Sequence, residues 1–143
     1  MAKQYRVGKV RRLINRIVAS RIAKGKMSED MYLLTTLGRK SGLERTTPVT
    51  IARRDGLRYL VSPYGNVGWV HNLRDSGIAE LSRGGTTEEI SVTEVDSGTA
   101  APVLKQYVRD VSAVRSFFDV DKDASVADFE VESSRHPVFV IKV

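Results

Sequence analysis

The sequence predicts an α+β fold: a small barrel of about six largely antiparallel strands with helices around it. Short apolar runs alternate with turn signals at close spacing, so most strands follow one another as hairpins. Other segments carry apolar residues at helical spacing instead. The chain has 143 residues and no cysteine, enough for one buried core without disulfides. An open antiparallel sheet fits the same pattern.

Residues 1–28 form the first element. Val10, Leu13, Ile14, Ile17, Val18 and Ile22 recur at helical spacing, with Arg11, Arg12, Asn15, Arg16 and Arg21 mostly on the other face. This basic amphipathic helix either packs on the domain or touches an anionic membrane peripherally. Met31–Leu37 is an apolar run ended by Gly38, and reads as a strand. The turn Gly38-Arg39-Lys40-Ser41-Gly42 leads to a returning strand over Arg45–Ala52, where Pro48 implies an edge or a bulge. Arg54-Asp55-Gly56 is a hairpin turn into the strand Leu57–Ser62. After a loop over Pro63–Gly68, Trp69–Asp75 reads as a short helix closed by Gly77. Ile78–Ser82 and Thr86–Val95 make a second hairpin across Arg83-Gly84-Gly85. Asp96 and Ser97 cap a helix beginning near Thr99, with Val103, Leu104, Tyr107, Val108 and Val111 on one face. Residues 116–135 show no clear period, and Pro137–Val143 is a final apolar strand.

Charge is unevenly placed. The net charge is +6, yet residues 1–28 hold nine basic side chains and no acid, whereas residues 75–143 hold thirteen acids and seven bases. Anionic partners belong at the N-terminal half. No aromatic residue interleaves with the basic amphipathic stretch 10–22 to stack on bases, so nucleic acid is not expected as a partner. No apolar run approaches the roughly 20 residues of a membrane span, and no signal-peptide cleavage pattern is present. A cytoplasmic protein with membrane contact confined to residues 1–28 is the expectation.

Without cysteines and with two histidines, thiolate zinc sites and multi-histidine metal centres are excluded, and no metal site is expected. His71 and His136 read as structural, and no Ser/His/Asp spacing is evident. Asp119, Asp121 and Asp123 alternate as in a calcium loop but lack its glycine and its terminal glutamate.

Two stretches carry chemistry. In Gly38–Arg45, two glycines allow a tight turn, Arg39, Lys40 and Arg45 supply fixed positive charge, and Ser41 supplies a donor. This suits a phosphate or carboxylate, though the order of a Walker loop is absent. In Ser62–Trp69, a glycine-bearing loop leads to the only tryptophan, which could bound the pocket of a flat ligand, with Asn72 on the same helix face.

The string Gly38-Arg39-Lys40-Ser41-Gly42, then Arg45-Thr46-Thr47-Pro48, Tyr59-Leu60-Val61-Ser62 and Trp69-Val70-His71-Asn72-Leu73-Arg74 resembles the deazaflavin-dependent nitroreductase family. These are the actinobacterial flavin/deazaflavin oxidoreductases that use coenzyme F420. The resemblance implies a split β-barrel over residues 29–143, akin to the FMN-binding barrels, and hydride transfer from reduced F420 to an electron-poor acceptor. It implies that Arg39, Lys40, Ser41 and Arg45 hold the anionic tail, and that Thr46, Thr47, Pro48 and Val49 run along the deazaflavin. Val61, Ser62, Pro63 and Tyr64 would contact the ring, and Gly68, Trp69 and Asn72 would close the pocket. No catalytic acid or nucleophile is required, because positioning and exclusion of water suffice for hydride transfer.

Nitroimidazole-reducing members use a tyrosine in the C-terminal part. Here that region offers Phe117 and Phe118 as acceptor contacts, and no tyrosine follows Tyr107. The expected acceptor is therefore an activated enone of the coumarin or furanocoumarin type, or a quinone, with nitroaromatics less favoured. The alternatives are an FMN-binding barrel oxidoreductase, a haem barrel, and a non-enzymatic lipid- or membrane-associated barrel. Barrels of this architecture often dimerise, so a homodimer is also expected.

Overall fold

A computed structural model of the protein describes residues 30–142. The helix expected over residues 1–28 lies outside the described residues. Six strands follow the expected order: β1 (Met31–Leu37), β2 (Glu44–Arg54), β3 (Leu57–Val61), β4 (Ile78–Arg83), β5 (Thr86–Glu94) and β6 (Val138–Lys142). They close into a barrel in the order β1-β2-β3-β6-β5-β4, with every pairing antiparallel. Closure rather than an open sheet resolves the ambiguity of the sequence pattern.

Helix α1 (Gly68–Ser76) joins β3 to β4, and α2 (Ser97–Asp110) joins β5 to the C-terminal part. Gly77 caps α1 with φ 70°, donating its N–H to the Leu73 carbonyl, a left-handed conformation that favours glycine. Asp96 caps α2 by accepting from the Thr99 N–H at 2.8 Å. The stretch without a clear period resolves into a 3-10 helix (Ser112–Phe117) and a short helix α3 (Val126–Glu132).

The strands follow a period of two, and β2, β3 and β6 bury residues on both faces while β4 and β5 expose their outer face. Leu34, Ile51, Leu60, Leu81 and Phe139 fill the barrel interior. Their neighbours Ala52, Tyr59, Val61 and Val138 point outward and pack under Ala101, Leu104 and Val108 of α2. The helix thus seals one side of the barrel, which fixes where an opening can remain.

That opening follows from register. β2 pairs with β1 along Glu44–Thr50 but with β3 only from Ile51 onward. The first half of β2 therefore presents an unpaired edge to the loop that follows β3. Pro48 lies on this edge, as its missing N–H requires.

Candidate functional site

A cavity of about 760 Å³ occupies the split between the free edge of β2 and the β3–α1 loop. Its volume is that of a cofactor or drug-sized site. One end is the β1–β2 turn, which contributes Arg39, Lys40 and Ser41, with Arg45 beside it. Gly42 takes φ 68° to reverse the chain there. At Gly38 a Cβ would lie 2.7 Å from the Ser41 Oγ, so a side chain there would push the serine hydroxyl aside.

The cations of this turn differ in their commitments. Arg39 is turned back onto α1. Its backbone N–H and its Nη1 both donate to the Asn72 Oδ1, each at 3.2 Å, while the Asn72 amide donates to the Thr36 hydroxyl at 3.0 Å. Asn72 is buried and spends its amide on this brace. Ser41 accepts from the Leu43 N–H within the turn. Among the described residues no carboxylate pairs with Lys40 or Arg45, whereas Arg53, Arg58 and Arg74 are held by Asp30, Glu88 and Glu94. Three cations and no carboxylate stand among the described lining residues, so the field at this end is uniformly positive.

The walls are apolar. Thr47, Pro48 and Val49 line the β2 side, and Val61, Pro63 and Tyr64 the opposite side. Gly68 and Trp69 close the start of α1, with Trp69 tilted against Phe139 at a ring separation of 6.1 Å. The far end is formed by Met31, Thr50, Tyr107, Val111, Ala113 and Val114. Arg45 and Thr50 are five steps apart along β2, roughly 17 Å at the rise of a β-strand. The cavity is thus elongated, charged at one end and apolar at the other.

Four of the residues expected at the site stand outside the cavity lining. Thr46 points to the outer surface, where its hydroxyl meets that of Thr35 at 2.9 Å. Ser62 is fully buried and donates to the Gly65 carbonyl, shaping the loop from behind. Phe117 meets Tyr64 edge-on with ring centroids 4.8 Å apart, backing a lining residue. Phe118 stacks on His136 at 3.8 Å in the core, where aromatic burial outweighs exposure to a ligand. Tyr107 and Thr50, both absent from the expected set, line the far end. Burial pushes the Tyr107 phenol well above its ordinary value, with the neighbouring Tyr64 acting in the same sense and a hydrogen bond from Thr50 opposing.

The histidines stay off the site. His71 is half-buried on α1 and His136 is buried beside Glu132, which also accepts from the Asp119 N–H and pairs with Arg135. Burial pushes the His136 imidazole down to about 4. Among the described residues no group of His, Asp or Glu could hold a metal ion, and no helix is long and apolar enough to cross a membrane.

Similar solved structures share this fold. One described as a domain-swapped dimer is 19% identical, with a TM-score of 0.57 over 93% of this chain and 96% of that one. An F420-H2 dependent reductase (FDR-A) is 19% identical, with a TM-score of 0.55 over 81% of this chain and 96% of that one. A nimc/nima family protein from Clostridium acetobutylicum is 14% identical, with a TM-score of 0.56 over 89% and 81%. No curated protein matches the sequence. The family model of the F420H(2)-dependent quinone reductases matches residues 9–126, most of the chain. Split barrel and family match agree, and the chain belongs to the F420H(2)-dependent quinone reductase family, an F420-dependent oxidoreductase.

Proposed function

We propose that the chain transfers a hydride from reduced F420 to a flat, electron-poor acceptor: a quinone, or an activated enone of the coumarin or furanocoumarin type. The carrying observation is the elongated cavity with three cations and no carboxylate among its described lining residues. A cofactor with a flat ring and a polyanionic tail matches such a cavity end for end.

When bound, the reduced deazaflavin supplies the hydride. Lys40 and Arg45 hold the phosphate and carboxylates of its tail, while Arg39 braces the turn through Asn72. Thr47, Pro48 and Val49 along one wall and Val61, Pro63 and Tyr64 along the other confine the ring. Gly68 and Trp69 close the pocket and exclude water, so that two flat partners stack in a reacting geometry. Phe117 acts through Tyr64, whose ring it supports. The largely apolar far end suits a flat, apolar acceptor.

Following the oxidation of reduced F420 with menadione, coumarin and a nitroimidazole in parallel tests this. Oxidation at least about tenfold faster with menadione or coumarin is expected. A clear preference for the nitroimidazole would overturn the acceptor assignment.

The same reading includes a homodimer, supported by the similar structure described as a domain-swapped dimer. It also includes peripheral contact of the basic residues 1–28 with anionic membranes, which vesicle sedimentation with and without that segment would test.

A further inference from the structure

The loop between β3 and α1 forms one wall of the main cavity through Pro63, Tyr64 and Val67. It is fastened at two points. On the inner side, buried Ser62 donates its N–H to the Pro137 carbonyl at 2.9 Å and its hydroxyl to the Gly65 carbonyl at 2.5 Å. Gly65 turns the chain there with φ 89°. On the outer side, the Oδ1 of exposed Asn66 accepts from the Arg74 Nη1 at 2.7 Å. Arg74 stands in the last turn of α1. Its Nε and Nη2 donate to the two carboxylate oxygens of Glu94, at the end of β5, each at 2.8 Å. One guanidinium thus joins the cavity loop, α1 and the barrel wall.

None of these three residues lines the cavity. The Arg74 and Glu94 side chains are each 37% exposed, and ion pairs so exposed contribute little to global stability. What the arrangement fixes is local. Val67 heads α1 without a side-chain cap, so the tie through the preceding Asn66 does the fastening that a capping side chain otherwise gives. The bidentate grip of Glu94 holds the guanidinium at one angle and aims its remaining edge at Asn66. A lysine ammonium has no such fork and cannot hold both acceptors at these positions.

We propose that Arg74, locked by Glu94, is a positioning residue: through Asn66 it holds the β3–α1 loop as the cavity wall and sets how Pro63, Tyr64 and Val67 pack on the flat ring of the cofactor. What the wall confines rests on the hydride-transfer reading above, whereas the hold on the loop does not depend on it. Hydride transfer needs its two partners at short and fixed separation, so a small displacement of this wall lowers the rate steeply. Phe117 supports the loop behind Tyr64, and Arg74 supports it at Asn66.

Two readouts test this. Hydrogen exchange of the apo protein reads the hold directly. In Asn66→Ala and in Arg74→Lys, the amides of residues 64–67 should exchange about tenfold faster than in wild type, with β6 unchanged and Tm within about 2 °C. Asn66→Asp keeps an acceptor for Arg74 and should restore protection. The Asn66→Ala, Arg74→Lys double variant should exchange no faster than either single variant, because both remove the same hydrogen bond. Wild-type exchange in the single variants, or no rescue by Asn66→Asp, overturns the proposal.

The second readout is F420 titration with turnover on menadione. Asn66→Ala and Arg74→Lys should each weaken F420 binding about threefold to tenfold and lower kcat about tenfold, with the menadione KM within about twofold of wild type. Asn66→Asp should return affinity and kcat to within about threefold of wild type. A loosened loop with wild-type F420 affinity and kcat overturns the positioning role. If wild type neither binds F420 nor oxidises its reduced form with menadione, the hydride-transfer reading fails, while the exchange data still decide whether Arg74 holds the wall.

Discussion

Lys40 and Arg45 carry the electrostatic part of the site because no carboxylate among the described residues pairs with them. Lys40→Ala should weaken F420 binding by tenfold or more, and Lys105→Ala, on α2 away from the cavity lining, should leave it unchanged. Equal affinities by fluorescence titration would remove the tail assignment. His136 bears on stability instead. Its folded value of about 4 lies below the 6.5 of the unfolded chain, so the unfolded state binds more protons between them. This contribution is fully present above about pH 6.5 and is lost as pH falls toward 4. Thermal melts at pH 7.5 and pH 4.5 should show His136→Phe losing less stability on acidification than wild type, by roughly 2 kcal/mol. Parallel losses in the two proteins would show that other groups govern acid unfolding.

The brace from Asn72 to Arg39 and Thr36 joins three elements: α1, the β1–β2 turn and β1. Asn72→Ala would leave the Thr36 hydroxyl and the Arg39 N–H without this partner, at a cost of about 2–3 kcal/mol. F420 affinity should fall about tenfold with it, because the turn loses its anchor. Unchanged melting and affinity would show that the turn holds itself.

The hairpins were legible in the sequence because their turns have local chemistry. Asp55 and Gly56 both take positive φ, as do Gly84 and Gly85. Pro48 announced an edge. Residues 116–135 were not legible, because their short helices are fixed by partners far along the chain, such as Glu132, which accepts from the Asp119 N–H. The same limit applies at the site. Residues 39–45 and 61–69 are local strings, and most of the residues expected from them line the cavity, while Thr46 and Ser62 stand outside the lining because strand and loop orientation turns a side chain between faces. Tyr107 shows helical core spacing, and nothing local tells that it lines a cavity bounded by β2. Phe117 and Phe118 are adjacent in sequence, yet neither lines the cavity.

At the scale of the whole molecule, closure of the barrel and the α2 seal leave an elongated opening of about 760 Å³ among the described residues, with a positive mouth. A ligand that fits it binds the folded state alone. F420 at a hundredfold excess over its Kd should add about 2.7 kcal/mol, raising Tm by roughly 5–10 °C. No shift in a thermal melt would mean that the cavity does not take the cofactor. Because the tail is anionic, raising salt from about 0.05 to 0.5 M should shrink this shift.

The most direct measurement is a fluorescence titration of the apo protein with oxidised F420, with FMN run in parallel. The account expects F420 to bind at micromolar or tighter affinity and FMN to bind far more weakly. Preference for FMN, or binding of neither, would contradict it.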